Sequence, residues 1–426
     1  MTQKRIAPLM VFALLLAMAI SACATATPAA TEVPAKTEVA TEAPATEVAT
    51  EAPTETAPAG VTFGMVLVGP KNDHGWSQAH YEAGQYVEAN LPGSKMIVFE
   101  GLNSADHPEA TLASVVDDMI KQGATLILTT SDAFQDDTLT VAQNNPDVTF
   151  INVSGDHAWS EGPNAGKAPA NEGNIMGRME YTKAIAGCAA ALTTETGQIG
   201  YLGPLVNFET RRLASSAYLG AKHCWETYRG KDAADLKFNV VWIGFWFNIP
   251  GVTQDPTEVT NQFYDQGADV VISGIDTTEA VVVAGQRAGE NEAVYAIPYD
   301  FVGACEEAPE VCLGVPYFNW GPAYLKTAQT VQDGTWKQSF DWNGPDWADM
   351  NNKDTTAVGW VNGAALKDTA NLDDFIAKLA SGEVNVWTGP IKLQSGKEYV
   401  ADGQAATDPE IWFLPELLEG MIGSSE

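Results

Sequence analysis

The stretch VTFGMVLVGPKNDHGWSQAHYEAGQYVEANLPGSKMIVF, residues 61–99, decides the fold. Residues 61–68 form an apolar, β-branched run closed by Gly69-Pro70. Residues 75–90 have the length and spacing of a helix, and 95–99 are a second short apolar run after Pro92-Gly93. A strand, a helix and another strand make a βαβ unit, whose right-handed crossover leaves the two strands parallel.

The same rhythm continues along the chain. Residues 125–128 and 149–153 read as strands, with 108–122 and 136–144 as helices. It then restarts with helix 181–194, strand 198–202, helix 210–228, strand 238–243, helix 257–266, strand 268–273, helix 278–288 and strand 293–298. Two successive α/β lobes account for this most simply. Lobe 1 takes 60–175 and lobe 2 takes 176–299, with parts of 300–426 and 316–426 returning to them respectively.

The first sixty residues are of another kind. Lys4 and Arg5 precede an apolar run over 6–20 that is short for a membrane span, so 1–22 reads as a signal peptide. The run ends in Ile20-Ser21-Ala22-Cys23, which resembles a lipobox with Cys23 as the lipidated residue, an incidental cysteine being the alternative. Residues 24–59 are Ala, Thr, Pro, Glu and Val with one Lys and no aromatic side chain, so 23–59 reads as a lipid-anchored disordered tether. That combination places the folded part on the extracytoplasmic face of the cell membrane.

Composition excludes several functions. The 426 residues carry 23 basic and 55 acidic groups, net −32, and residues 60–426 alone carry 20 and 49, net −29. Such a surface repels phosphate backbones, so nucleic acid is not a partner. No Gly-x-Ser-x-Gly elbow, His-Glu-x-x-His motif or GxGxxG fingerprint occurs. His74, His80, His107, His157 and His223 are scattered and read as surface or hydrogen-bonded histidines, so neither metal nor cofactor is expected. An Asp276 and Asp300 pair could serve a glycosidase, but carboxylates are too common here for two in a cleft to mean catalysis.

Open α/β sheets bind ligands at the carboxyl ends of their strands, and two facing lobes bring two such edges to one cleft. The strand-end loops hold Asn72, Asp73, Trp76, Phe134, Trp159, Phe208, Trp246, Asp276 and Asp300, followed by Asn319 and Trp320. Flat rings with amides and carboxylates between them suit a planar, polar ligand, although a pyranose could use the same groups. Cys305 and Cys312 read as a disulfide-closed loop of an exported protein, whereas bridging of Cys188 and Cys224 is left open.

At these loops the chain resembles the basic membrane protein family of ABC-transporter substrate-binding lipoproteins, which includes purine nucleoside receptors. The similarity runs from Phe63-Gly64-Met65-Val66 and Asn72-Asp73-His74-Gly75-Trp76 through Gln198-Ile199-Gly200-Tyr201, Trp246, Asp276 and Tyr299-Asp300. It continues through Asn319-Trp320-Gly321-Pro322 to Trp387-Thr388-Gly389-Pro390 and Glu419-Gly420-Met421-Ile422-Gly423. The resemblance implies a type I periplasmic-binding-protein fold with three hinge crossovers. It also implies a monomeric, non-enzymatic receptor that hands a nucleoside, nucleobase or similar heterocycle to an ABC permease. Carried over by position, Asp73 is the acidic member of the first loop, Trp76 the stacking aromatic and Asp300 an acceptor for ribose hydroxyls. Gly75-Trp76-Ser77 stands where the family usually has Ser-Phe-Asn, and Asn319-Trp320 where nucleoside receptors often carry a Lys. These departures widen the implied ligand from purine nucleosides to planar heterocycles, with a sugar as the alternative.

Overall fold

The computed structural model describes residues 60–426; the signal peptide, the lipidation at Cys23 and the tether lie outside the described residues. In chain order the strands are β1 (Thr62–Val66), β2 (Lys95–Phe99), β3 (Leu126–Thr129), β4 (Thr149–Val153), β5 (Glu172–Gly177) and β6 (Gln198–Gly203). They continue as β7 (Lys237–Trp242), β8 (Val270–Ser273), β9 (Tyr295–Ile297), β10 (Gly314–Phe318), β11 (Phe340–Asn343) and β12 (Val358–Asn362). The helices are α1 (Trp76–Asn90), α2 (Leu112–Lys121), α3 (Gln135–Asn144), α4 (Met179–Thr193) and α5 (Phe208–Thr227). They continue as α6 (Pro256–Asp265), α7 (Glu279–Gly289), α8 (Gly321–Gln332), α9 (Thr369–Ser381) and the short α10 (Asp408–Trp412).

Two parallel sheets result. The first runs β11-β5-β4-β3-β1-β2, and in the second the two-residue strand Met421–Ile422 precedes β7-β6-β8-β9. In each, the first strand in sequence sits inside and its successors add on both sides, the doubly wound order that helical crossovers produce. Strands β3 and β8 are buried throughout, as expected where helices cover both faces.

The chain crosses between the lobes three times, from β5 to α4, from β9 through β10 to α8, and from β11 through β12 to α9. Helix α8 returns to pack on α1, and α9 packs on α4. The antiparallel ribbon β10-β12 straddles the lobes: Phe318 and Val358 join the first core, Leu313 and Trp360 the second.

Strand β5 and the elements after residue 300 are absent from the rhythm read in the sequence. Glu172-Gly-Asn-Ile-Met-Gly has the composition of a turn, yet it lies between β4 and β11 with every residue buried. Tertiary pairing overrides its weak β propensity there.

Helices α4 and α5 approach so closely that a Cβ on Gly187 would fall 1.8 Å from the Ala217 carbonyl oxygen. At that crossing Cys188 and Cys224 form a disulfide, so the pairing left open in the sequence is made. Cys305 and Cys312 form the other, closing the short loop after β9.

Candidate functional site

The carboxyl ends of the two sheets face each other, and a small, nearly filled cavity lies between them. One side is Trp76, Ser131, Asp132 and Ser154; the other is Glu209, Trp246, Asp276 and Tyr299. Trp76 opens α1, and its indole N–H donates to the Thr130 carbonyl at 2.7 Å, which fixes the ring. Phe318 and Trp320 meet Trp76 edge-on at 5.3 and 5.5 Å, so its orientation is also set from behind. Trp246 lies in the loop after β7, anchored where the Asp276 amide donates to its carbonyl at 2.9 Å.

Three strand-end residues have left-handed backbone without being glycine: His74, Ser154 and Asp300, at φ 55°, 66° and 70°. Such conformations are costly for L side chains and concentrate where side chains must be aimed. Ser154 accordingly faces the cavity at the end of β4.

The site is rich in carboxylates and poor in cations. Burial pushes the Asp276 carboxyl well above the usual carboxylate range, and the neighbouring charges of Asp300 and Asp73 push the same way. Burial likewise raises Asp300, opposed by Lys183. Glu209 is raised to about 8, mainly by burial, with Arg212 opposing and Asp132 and Glu180 reinforcing. Asp132 is raised by burial too, although the Asn207 amide donates to it from the opposite lobe at 2.9 Å. Lys183 is fully buried; its ammonium donates to the Ser273 carbonyl at 2.6 Å and sits 3.3 Å from the Tyr299 ring centroid. Burial lowers that amine to about 7 against the pull of Asp300. Among the groups that line the cavity, the Glu209 Oε2 is buried without a hydrogen bond. A site of this kind offers two indole faces and several acceptors to a ligand that brings N–H or O–H donors.

The structure brings Trp76, Trp246 and Asp276 together and separates the rest of the sequence-derived set. Asn72 is exposed at the loop tip. Asp73 accepts from the backbone N–H groups of Gly75, Ser77 and Gln78, each at 2.9 Å, so it satisfies the orphan donors at the start of α1. Phe134 is packed into the first core. Trp159 stacks between Phe340 and Phe413 at 4.7 and 5.5 Å, drawn away by a richer aromatic neighbourhood. Phe208 is 45% exposed and meets Phe413 edge-on, outside the cavity. The Asn319 amide donates to the carbonyls of Lys353 and Thr356, where it ties down a loop. Trp320 stacks on Phe318 and His80 at 4.5 and 4.7 Å, acting as the backing of Trp76. Asp300 is fully buried beside Tyr299 and does not line the cavity.

Ser131, Asp132, Ser154 and Glu209, which carry neither a ring nor an amide, complete the wall with Tyr299. All but Glu209 lie in strand-end loops. Glu209 sits in the first turn of α5, inside the capping box formed by Asn207 and Thr210, and that box is its sequence signal.

Residues 61–344 match the family described as ABC transporter substrate-binding protein, PnrA-like. A purine-binding protein of Brucella abortus is 30% identical over 354 residues, covering 81% of this chain and 88% of its own. A putative ABC transporter glucose-binding protein of Haloferax volcanii is 25% identical, covering 77% and 74%. Among solved structures, an ABC transporter solute-binding protein from Aeropyrum pernix superposes with TM-score 0.59 at 13% identity, covering 78% of this chain and 93% of that one.

Proposed function

The chain belongs to the Bmp family of PnrA-like ABC transporter substrate-binding proteins, and we propose that it captures a nucleoside, nucleobase or similar planar heterocycle between its lobes for an ABC permease. The observation that carries this reading is the pair of indoles, Trp76 and Trp246, contributed by opposite lobes to one buried cavity whose other walls are carboxylates and hydroxyls. Stacking is indifferent to ring identity, while the carboxyls select N–H and O–H donors. Groups from both lobes then favour the closed state, and that differential affinity is what closes the cleft. We read the protein as a non-catalytic, monomeric lipoprotein, held outside the membrane through Cys23 and requiring no metal or cofactor.

A sugar is the second reading. The Haloferax volcanii relative is named as glucose-binding, and indole faces with carboxylate acceptors serve a pyranose as well as a base.

A thermal-shift panel of nucleosides, free bases, related heterocycles and sugars on residues 60–426 separates the two, because a ligand that binds only the native state raises the melting temperature. Planar heterocycles should give the shift, and Trp246→Ala should weaken their binding by about 10- to 100-fold, the range of one lost stacking face. A shift from sugars alone would replace the first reading with the second.

A further inference from the structure

We propose that His80, hydrogen-bonded to Tyr324 behind Trp76, is a positioning residue for ring binding: the pair holds the stacking indole at one orientation and ties it to the helix that follows the hinge strand β10. The inference rests on the reading of Trp76 as a stacking face. Trp76 and His80 are four residues apart on α1, so they share one face of that helix. The His80 ring lies 4.6 Å from the Trp76 ring at 75° to it, and stacks on Trp320 at 4.7 Å. Both His80 and Tyr324 are fully buried.

A phenyl ring would fill that space, and the imidazole adds a direction. The Tyr324 hydroxyl and the His80 Nδ1 are 2.7 Å apart. Burial pushes the imidazole well below its ordinary pKa and the phenol well above its own, so both are neutral at physiological pH. A buried phenol hydrogen needs an acceptor, and a neutral imidazole has one bare nitrogen. The hydroxyl therefore donates to Nδ1 and the imidazole proton is on Nε2, since the other tautomer would orphan both the phenol hydrogen and Nε2. The Nε2–H has no hydrogen-bond partner and lies among aromatic rings, where an N–H to ring contact offsets part of the loss. The bond fixes which way the imidazole faces, whereas a phenyl there would be held by packing alone.

Placement gives this bond a part in binding. Trp76 lines the cavity, whereas Phe318, Trp320 and His80 meet it from outside the cavity wall, at 5.3, 5.5 and 4.6 Å. Phe318 ends β10, Trp320 caps α8, and Tyr324 follows in that helix. A movement of the hinge strand therefore reaches Trp76 through the rings behind it. The Tyr324–His80 bond is a directional link from α8 to α1 at that point, so it keeps the indole from rocking back when a ring stacks on it.

Calorimetric titration with adenine, adenosine, uracil and uridine, on the parent and on Tyr324→Phe, His80→Phe and the double variant, tests this. Each single variant leaves one polar group buried and unpaired, so both should melt below the parent. The double variant removes both partners and should recover most of that loss. Affinity for the tightest-binding probe should fall about tenfold in each single variant and stay reduced in the double variant, whose backing is apolar but undirected. Fluorotryptophan labelling gives a second readout: the fluorine line that disappears in Trp76→Phe should move or broaden in all the other variants. Affinity that recovers together with the melting temperature, or that is unchanged in Tyr324→Phe, means that the pair only supports the fold and overturns the proposal, as does an unmoved Trp76 line. Tyr324→Phe removes a single oxygen, so it decides the matter alone if His80→Phe fails to fold. If no probe binds the parent, the ring reading falls and the positioning role with it.

Discussion

Glu209 shows how one buried carboxyl links the site to stability. Its neutral form is favoured in the folded protein because burial outweighs the pull of Arg212, so its pKa rises from 4.5 to about 8. Below 4.5 both folded and unfolded chains hold the proton, and the group does not oppose folding. As pH rises above that value the unfolded chain ionises while the folded one keeps its proton, so stability falls until about 8. Lys183 works in the opposite sense. Lowered to about 7, it loses its proton in the folded state first, and from there toward 10.5 its contribution to stability rises with pH. Glu209→Gln removes only the first effect. Its melting temperature should therefore fall less than that of the parent between pH 5 and 8, by an amount corresponding to a few kcal/mol at most. Parallel melting curves for the two proteins across that range would mean that Glu209 is ionised when folded.

At the scale of elements, the cleft depends on how closely the start of α1 approaches the loop after β8. Gly75 precedes α1, and a Cβ there would lie 1.6 Å from the Asp276 carbonyl oxygen, a contact with backbone that cannot rotate away. Gly75→Ala should therefore hold the lobes apart. Overpacking of this kind costs about 1–3 kcal/mol, which corresponds to a loss of roughly five- to 150-fold in ligand affinity. Solution scattering should show no compaction on adding ligand, whereas normal affinity with normal compaction would mean that the loop after β8 yields. The same elements mark what could be read from the sequence. The βαβ rhythm was legible because each buried strand is a short apolar run between turn residues, as in 61–68 and 149–153. Strand β5 was not, since its glycines and asparagine resemble a turn and only its neighbours make it a strand. Trp76, Trp246 and Asp276 were legible by position at strand ends, but position alone could not say which way a ring turns. Trp159 occupies an equivalent loop and turns instead into Phe340 and Phe413. Glu209 was hidden because a carboxylate in the first turn of a helix is ordinary, and only its burial against the opposite lobe makes it part of the site.

The whole molecule carries 49 acidic and 20 basic groups over residues 60–426, and this imbalance acts on both lobes and on the cleft between them. Like charges at that density oppose compaction. Ion pairs such as Lys71–Glu100 and Lys121–Asp118 are exposed and contribute little individually, so self-repulsion dominates the surface. Salt shortens the screening length from about 10 Å at 0.1 M to about 3 Å at 1 M, which weakens repulsion between distant carboxylates more than it weakens pairs in contact. The melting temperature should therefore rise with sodium chloride in the absence of ligand. Asp132 meets Asn207 and His74 meets Glu307 across the cleft, and closing a cleft between lobes of this charge brings their acidic edges together. Screening should favour that step as well. For an uncharged heterocycle, affinity should then hold steady or increase with salt. A cationic ligand, attracted by the buried carboxyls and the acidic rim, should instead bind more weakly as salt rises. Titrations of the identified ligand at 0.1 and 1 M salt measure this directly. A melting temperature that falls with salt would show that local ion pairs outweigh the net repulsion, and the charge argument for closure would fall with it.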